Sequence, residues 1–331
     1  MRIVIPMAGY GARLRPHTWS KPKPLVTVAG KPVLGHVLDI FSTLPRIDEV
    51  VFIVGYLGEQ VAEYVGHSYP HLKAVYVEQT ELKGQSHALW LARQDLRGPI
   101  LICFVDTLIE ADLSGLAETS AEAVAWVTQV PDPRRFGVAQ VGADGWVQRL
   151  VEKPQDMSNN LVVVGFYYFQ QAESLISAIE EQMARDTQLK GEYYLVDAIN
   201  ILLERGLKMC VQPVEVWQDC GKPETLLATN RYLLEHGRDN SSQAAGRDGV
   251  VIVPPVYVDP SAEVKSSIIG PWVTIGADCH VERSVIQDSI VDSGSHILES
   301  SLSGSLIGRE ARVVGRPRTL NVGDSSEVGF A

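Results

Sequence analysis

The sequence predicts two architectures in one chain: an α/β domain on a Rossmann-like, doubly wound, mostly parallel sheet, then a short parallel β-helix of hexapeptide repeats. Three observations carry this. Short apolar runs alternate with helical patterns up to about residue 106, a polar segment at 236–249 lacks apolar periodicity, and beyond Val258 apolar residues recur every five or six positions.

In the first part, RIVIPM, VVFIVGY, AVYVEQ and ILICFVD read as strands. They are near-continuous Val/Ile runs of the kind buried on both faces of a sheet. Between them PVLGHVLDIF, LGEQVAEYV and GQSHALWLA read as helices, and in the first of these Leu34, Val37, Leu38 and Phe41 fall at i, i+3, i+4 and i+7, one apolar stripe. This βαβα order implies parallel strands. Ligands on such sheets sit beyond the carboxyl ends of the strands, where both the loop after RIVIPM and Asp106 would lie.

From about 120 to 235, strands AVAWVTQV and LVVVGFYYF mix with helices AESLISAIEEQM and ETLLATNRYLLEH, which can extend the same sheet. HGRDNSSQAAGRDG, 236–249, is rich in Gly, Ser, Asp and Asn and reads as a linker. The expected domains are therefore 1–235, the linker 236–249, and 250–331. In the last, Val258, Val264, Ile269, Ile275, Val281, Ile286, Val291, Ile297, Leu302, Ile307 and Val313 are separated by small polar residues. Helical spacing cannot produce that, whereas a coil that stacks its apolar row on its neighbours does; a sandwich is the alternative.

Composition narrows the function. Of the 331 residues 45% are hydrophobic and 21% charged, as in folded globular chains, and no apolar run approaches the roughly 20 residues of a membrane span. MRIVIPMAG is too short to be a secretory h-region, so a cytoplasmic location is expected. Cys103, Cys210, Cys220 and Cys279 lie far apart with no CxxC pair, which argues for reduced, inert thiols rather than disulfides or zinc. His17, His87, His280 and His296 likewise show no zinc spacing and read as structural. A net charge of −11 argues against nucleic acid as a partner. Against that acidic background Arg13, Arg15, Lys21, Lys23 and Lys31 form a local basic cluster.

The cluster sits in IPMAGYGARLRPHTWSKPKPL. GxxxxGK[ST] is absent, and a GxGxxG reading fails at Leu14. What remains is a loop in which Gly9 and Gly11 let backbone N–H groups approach an anion and Arg and Lys neutralise phosphate charge. Pro16, Pro22 and Pro24 restrict its backbone and preorganise it. A solvated basic surface loop is the plainer reading.

GYGARLRPHTWSKPKPL resembles the GxGTRLxPxTxxxPKPL signature of sugar-1-phosphate nucleotidyltransferases, which join an NTP to a sugar phosphate and release pyrophosphate. Further segments match in order. EQTELKG resembles the Q-x4-G segment that holds a pyrimidine base, with Gln79 and Gly84 in register. FVDTL stands at the metal-binding GD, RRFGVAQV at the YGVV segment, VEKP at EKP, VVVGFYYF at the sugar-site strand, GEYYLVDAI at GE-x-x-x-TDAI, and VWQDCGKPETLLATN at WxDxGTPExLLxAN. Tyr10, Ala12, Val105 and Cys220 depart from the signature. The matches cover residues 1 to about 232, and the tail resembles the left-handed β-helix of long-form thymidylyltransferases and mannose-1-phosphate guanylyltransferases.

The resemblance implies roles. Asp106 and Asp219 would hold Mg²⁺, Arg13 would clamp the departing pyrophosphate, and Lys23 would stabilise charge at the α-phosphate. Lys153 would bind the sugar phosphate; Glu152 and Glu192 would accept from sugar hydroxyls, with Gly137 and Gly165 letting backbone approach the sugar. Ala8, Gly9 and Gly11 would lie along the nucleotide, and Gln79 would offer the base a donor and an acceptor. The expected substrates are dTTP or UTP with glucose 1-phosphate, and the expected assembly is a homo-oligomer, formed through the β-helix. A guanylyl transfer to mannose 1-phosphate is the alternative within the class, and a non-catalytic sugar-nucleotide-sensing subunit the alternative outside it. The three or four coils that about 60 residues allow suit assembly better than a second acyl-transfer centre.

Overall fold

The structure is a computed structural model that describes residues 1–315 except 45, 114, 117, 118 and 248. The chain divides into two compact units, one of Met1–Thr27 and Lys31–Thr229, the other of Val28–Gly30 and the chain from Asn230 onward; the division falls within the helix Pro223–Leu233.

The first unit is built on one mixed sheet. Its strands run in the order Val147–Glu152, Gly137–Val141, Leu161–Phe169, Ile100–Cys103, Arg2–Pro6, Glu49–Val54, Ala74–Glu78; Ala123–Gln129 also pairs with Leu161–Phe169, and Met209–Pro213 pairs with Ala123–Gln129. The four strands from Ile100–Cys103 to Ala74–Glu78 are mutually parallel, as the βαβα order requires. The middle section extends this same sheet but enters it antiparallel: Leu161–Phe169 runs against both Ile100–Cys103 and Ala123–Gln129.

Helix Val33–Ile40 starts after Pro32, and Leu34, Val37, Leu38 and Phe41 are all buried, so the predicted stripe is the packing face. Val50 to Ile53 are fully buried, which explains why that strand shows no alternation. The core joins these strands to the helices Gln85–Leu91, Ala172–Ala184 and Leu195–Glu204.

The second unit is a parallel β-helix consistent with the left-handed form, with three four-stranded parallel sheets among the described residues. The eleven predicted apolar positions, from Val258 to Val313, all belong to or pack on its core. Successive rungs align Val264, Val281, Ile297 and Val313, so a coil takes 16 or 17 residues, slightly fewer than three regular hexapeptides. The shortening is absorbed at corners with left-handed backbone, such as Ser266, Arg283 and Glu299 stacked on one edge. The segment 236–249, expected to be a linker, instead carries helix Ser241–Ala244, with Ser241 and Ala244 buried in this unit; the Asp239 carboxylate and Ser241 hydroxyl both accept the Val256 N–H. The part of the expected 250–331 domain beyond Gly315 lies outside the described residues.

Buried serines stitch the coils. Ser284 Oγ donates to Glu282 O at 2.8 Å and accepts the Ser300 N–H at 3.1 Å, and Ser267 and Ser289 repeat the motif. Ser284→Ala leaves a buried N–H without its acceptor and should destabilise the β-helix by about 1–2 kcal/mol; thermal unfolding of the variant measures this, and an unchanged midpoint would contradict it.

Candidate active site

A pocket of about 630 Å³ opens in the first unit at the carboxyl end of the parallel strands, and every residue predicted for the site lines it: Ala8, Gly9, Gly11, Arg13, Lys23, Gln79, Gly84, Asp106, Gly137, Glu152, Lys153, Gly165, Glu192 and Asp219.

The opening loop is held from below. Leu14 is buried in a 3₁₀ turn, Ala12–Leu14, and the buried Thr18 hydroxyl donates to Gly11 O at 2.9 Å. Gly11 has φ +62°, and a Cβ there would lie 2.9 Å from Lys23 Cβ, so only glycine fits against the lysine stem. Lys23 follows Pro22 in a second short turn, and its Nζ meets Asp106 Oδ2 at 2.7 Å; Arg13 approaches the same oxygen at 3.9 Å. Burial alone would push the Asp106 carboxyl up, but the charge and hydrogen bond of Lys23, with Arg13 behind, outweigh it and hold it below the usual carboxylate range. Asp219 is brought beside this group because Val216–Asp219 pairs antiparallel with Thr107–Glu110 and Cys220 N–H donates to Asp106 O at 2.9 Å. Asp219 Oδ1 accepts the Gly221 N–H at 2.7 Å. Buried Cys220 has its thiol pushed up to about 12 by burial and is inert, and all four cysteines are free.

Gly137 and Glu152 face each other across paired strands; a Cβ on Gly137 would lie 3.3 Å from Glu152 Oε2 and 3.4 Å from Val196. Gly165, φ +83°, breaks the register of its strand and accepts the Phe104 N–H at 3.0 Å, two residues before Asp106. Lys153 has left-handed backbone, φ 46°, and its ammonium donates to Tyr194 Oη at 2.8 Å with Glu152 Oε1 at 3.3 Å. Burial works against the Lys153 charge, but the Tyr194 bond and Glu152 prevail and raise its pKa, so it is an ammonium at neutral pH.

Gln79 is buried at the end of strand Ala74–Glu78, and its Nε2 lies 3.1 Å from both Gly84 O and His87 Nδ1. Gly84 is itself required: φ is +95° and a Cβ would lie 2.6 Å from the Tyr193 backbone. Both amide protons of Gln79 are thus engaged within the protein. The expectation that it shows a donor and an acceptor changes accordingly: Oε1, an acceptor, is what its amide has left for a ligand.

Sequence reasoning missed several lining or supporting residues. Tyr194 anchors Lys153, Gln85 Oε1 accepts the Leu195 N–H at 3.2 Å, Phe136 and Trp217 meet edge to face at 5.0 Å, and Trp217 Nε1 is buried with no partner among the described residues. Gly55 is needed because a Cβ there would lie 2.4 Å from Ala8 O. Gly55 carried a signal as a glycine at the end of an apolar strand, and Phe136, Tyr194 and Trp217 stand in the matched segments RRFGVAQV, GEYYLVDAI and VWQDCGKPE, but the contacts they make depend on pairings between distant segments.

Residues 3–236 match the family model described as nucleotidyl transferase, most of the chain. The chain belongs to this family. A glucose-1-phosphate thymidylyltransferase of Streptomyces griseus is 31% identical over 96% of this chain and 94% of its own length. A low-salt glycan biosynthesis nucleotidyltransferase of Haloferax volcanii is 30% identical over 99% of both chains. A UDP-glucose pyrophosphorylase crystallised with UDP-glucose, 19% identical, superposes with a TM-score of 0.62 over 71% of this chain and 98% of its own, a likeness of fold. Among the described residues of this nucleotidyltransferase, no helix is long and apolar enough to cross a membrane.

Burial raises the Glu152 carboxyl above the ordinary glutamate range; Lys153 opposes this, and Asp197 and Glu192 add to it. The folded nucleotidyltransferase therefore keeps this proton where the unfolded chain has lost it. That contribution is complete below the unfolded pKa and is lost as pH rises through the raised folded value. Glu152→Gln should melt at the same temperature as the parent near pH 4 and above it near pH 8, and a difference independent of pH would contradict the assignment.

Proposed function

We propose that this nucleotidyltransferase transfers a thymidylyl or uridylyl group from dTTP or UTP to glucose 1-phosphate, giving the nucleoside diphosphate sugar and pyrophosphate. The observation that carries the reading is the convergence of Lys23, Arg13, Asp106 and Asp219 beside Glu152 and Lys153 in one pocket. The name of the Streptomyces griseus relative, a glucose-1-phosphate thymidylyltransferase, supports the thymidylyl reading and the sugar phosphate.

In the proposed reaction an oxygen of the sugar phosphate attacks the α-phosphorus in line, and the pyrophosphate leaves from the opposite side. Both reactants are anions, so the protein's work is charge compensation and alignment. Lys153 binds the sugar phosphate, Glu152 and Glu192 accept from ring hydroxyls, and backbone at Gly137 and Gly165 closes on the sugar. Lys23 stabilises charge growing at the α-phosphate, Arg13 takes the pyrophosphate, and the N–H groups of the Ala8–Gly11 turn receive phosphate oxygens.

Asp106 and Asp219 fit a divalent cation in their chemistry. Both are hard oxygen donors that line the pocket from paired segments, and among the described residues no group of three or more His, Cys, Asp or Glu forms an all-protein cage. That suits Mg²⁺, which takes one or two carboxylates and completes its octahedron with phosphate oxygens and water. When bound it would supply charge neutralisation at the phosphates.

Guanylyl transfer to mannose 1-phosphate is the second reading. It gains from the donor accounting at Gln79, because a lone acceptor suits the guanine N1–H as well as the N3–H of uracil or thymine; Gln79 alone does not separate them. The coiled unit we propose as an assembly module that makes the chain a homo-oligomer, with residues 1–235 acting as the catalytic domain. Light scattering of the intact chain tests the assembly, and a monomer would remove it.

Pyrophosphate release with Mg²⁺, glucose 1-phosphate and each nucleoside triphosphate in turn tests the reaction; release with dTTP or UTP is expected, and release with GTP and mannose 1-phosphate alone would favour the second reading. Asp106→Asn should lower turnover by several kcal/mol, at least about 100-fold, in a protein that folds normally. Near-parental turnover in that variant would remove the metal and charge role of Asp106.

A further inference from the structure

We propose that His87 is a positioning residue that locks the Gln79 amide so that the pocket selects nucleotides whose base carries a ring N–H, namely uracil, thymine, guanine and hypoxanthine, over cytosine and adenine. The proposal rests on the nucleotide reading of the pocket and on the buried pair just described.

The lock follows from donor and acceptor bookkeeping. Gly84 O can only accept, so the Gln79 atom 3.1 Å from it is the amide nitrogen, and a flipped amide would set two acceptor oxygens against each other. The same nitrogen lies 3.1 Å from His87 Nδ1. An N–H there cannot face another N–H, so Nδ1 is the bare, accepting nitrogen and the ring proton resides on Nε2. Burial, then the charge of Lys83, lowers the His87 pKa against an opposing Glu81, which favours this neutral ring. The imidazole cannot easily turn away. It belongs to helix Gln85–Leu91, is buried, and stacks on Trp90 at 6.2 Å between centroids, with the Arg93 guanidinium 3.9 Å over the same indole.

With both protons spent, Gln79 meets a base only as an acceptor. Uracil and thymine present N3–H and guanine and hypoxanthine N1–H, each a donor. Cytosine N3 and adenine N1 are lone pairs, so oxygen would face a lone pair with no proton between them, an unpaired buried contact of the kind that discriminates strongly. Without the His87 acceptor the second amide proton is released, and a small rotation that keeps the Gly84 bond lets the amide offer that proton to cytosine N3.

Titration calorimetry of UTP and CTP on the full chain reads this preference without turnover. The parent should bind UTP at least about tenfold more tightly than CTP. His87→Leu should reduce that ratio by about tenfold, while His87→Asn, whose Oδ1 supplies an acceptor on a short side chain, should preserve most of it, with glucose 1-phosphate affinity unchanged in both. Melting curves establish that the variants fold. Equal binding of UTP and CTP by the parent, or a ratio untouched by His87→Leu, would overturn the lock, and the first of these decides even if the leucine variant fails to fold. A parent that prefers UTP yet releases no pyrophosphate would overturn the transferase reading and leave the lock standing, whereas binding of neither nucleotide would overturn both.

Discussion

The ion pair between Lys23 and Asp106 is the contact on which the pocket's arrangement depends. It ties a proline-rich loop after the first strand to the carboxyl end of a strand 83 residues further on. A carboxylate in that half-buried place is unfavourable without a partner, and an exposed loop lysine would not hold one position by itself. Together each fixes the other. Gly11 makes the approach possible, and pairing of Val216–Asp219 with Thr107–Glu110 brings Asp219 to the same pocket lining. A concentration of charge that would otherwise be costly becomes a preorganised field for anionic reactants.

Glu152 and Lys153, elsewhere in the pocket lining, show the same balance of burial against partners. Glu152 is kept in a place where burial favours its protonated form, and Lys153 is kept charged by Tyr194 and Glu152 despite burial. Here burial is weighed against specific partners, and the arrangement comes from the sheet rather than from local sequence. The mixed sheet serves this directly. Its parallel half carries the basic loop of Arg13 and Lys23, Gln79 and Asp106, while the antiparallel strands bring in Gly137, Glu152 and Gly165.

What was legible in the sequence was local in origin. The buried stripe from Leu34 to Phe41, the Gly and Pro positions around Arg13 and Lys23, and the apolar row from Val258 to Val313 each arise from the geometry of one element. Coil length was legible too, since three steps of five or six residues make the 16 or 17 of the register; the corners were not, because Ser266, Arg283 and Glu299 take left-handed backbone that their side chains do not announce. Ser241 and Ala244 looked like linker because small polar residues say nothing of burial until a partner such as Val256 is known. Gln79 was found by register, but its hydrogen-bonding face was not. That depends on a carbonyl five residues away and an imidazole eight residues away, and composition carries no signal for which atoms are already satisfied. Tyr194 was hidden for the same reason, as it reaches Lys153 across 41 residues.

In the proposed reaction the pocket aligns two bound anions for direct displacement at the α-phosphorus. The most direct measurement is the stereochemical course of transfer from a nucleoside triphosphate carrying a single sulfur of known configuration at that phosphorus, with glucose 1-phosphate as acceptor. One in-line displacement predicts a product of inverted configuration. Retention, which requires two displacements through a nucleotidylated protein group, would contradict the account, and so would the absence of any transfer.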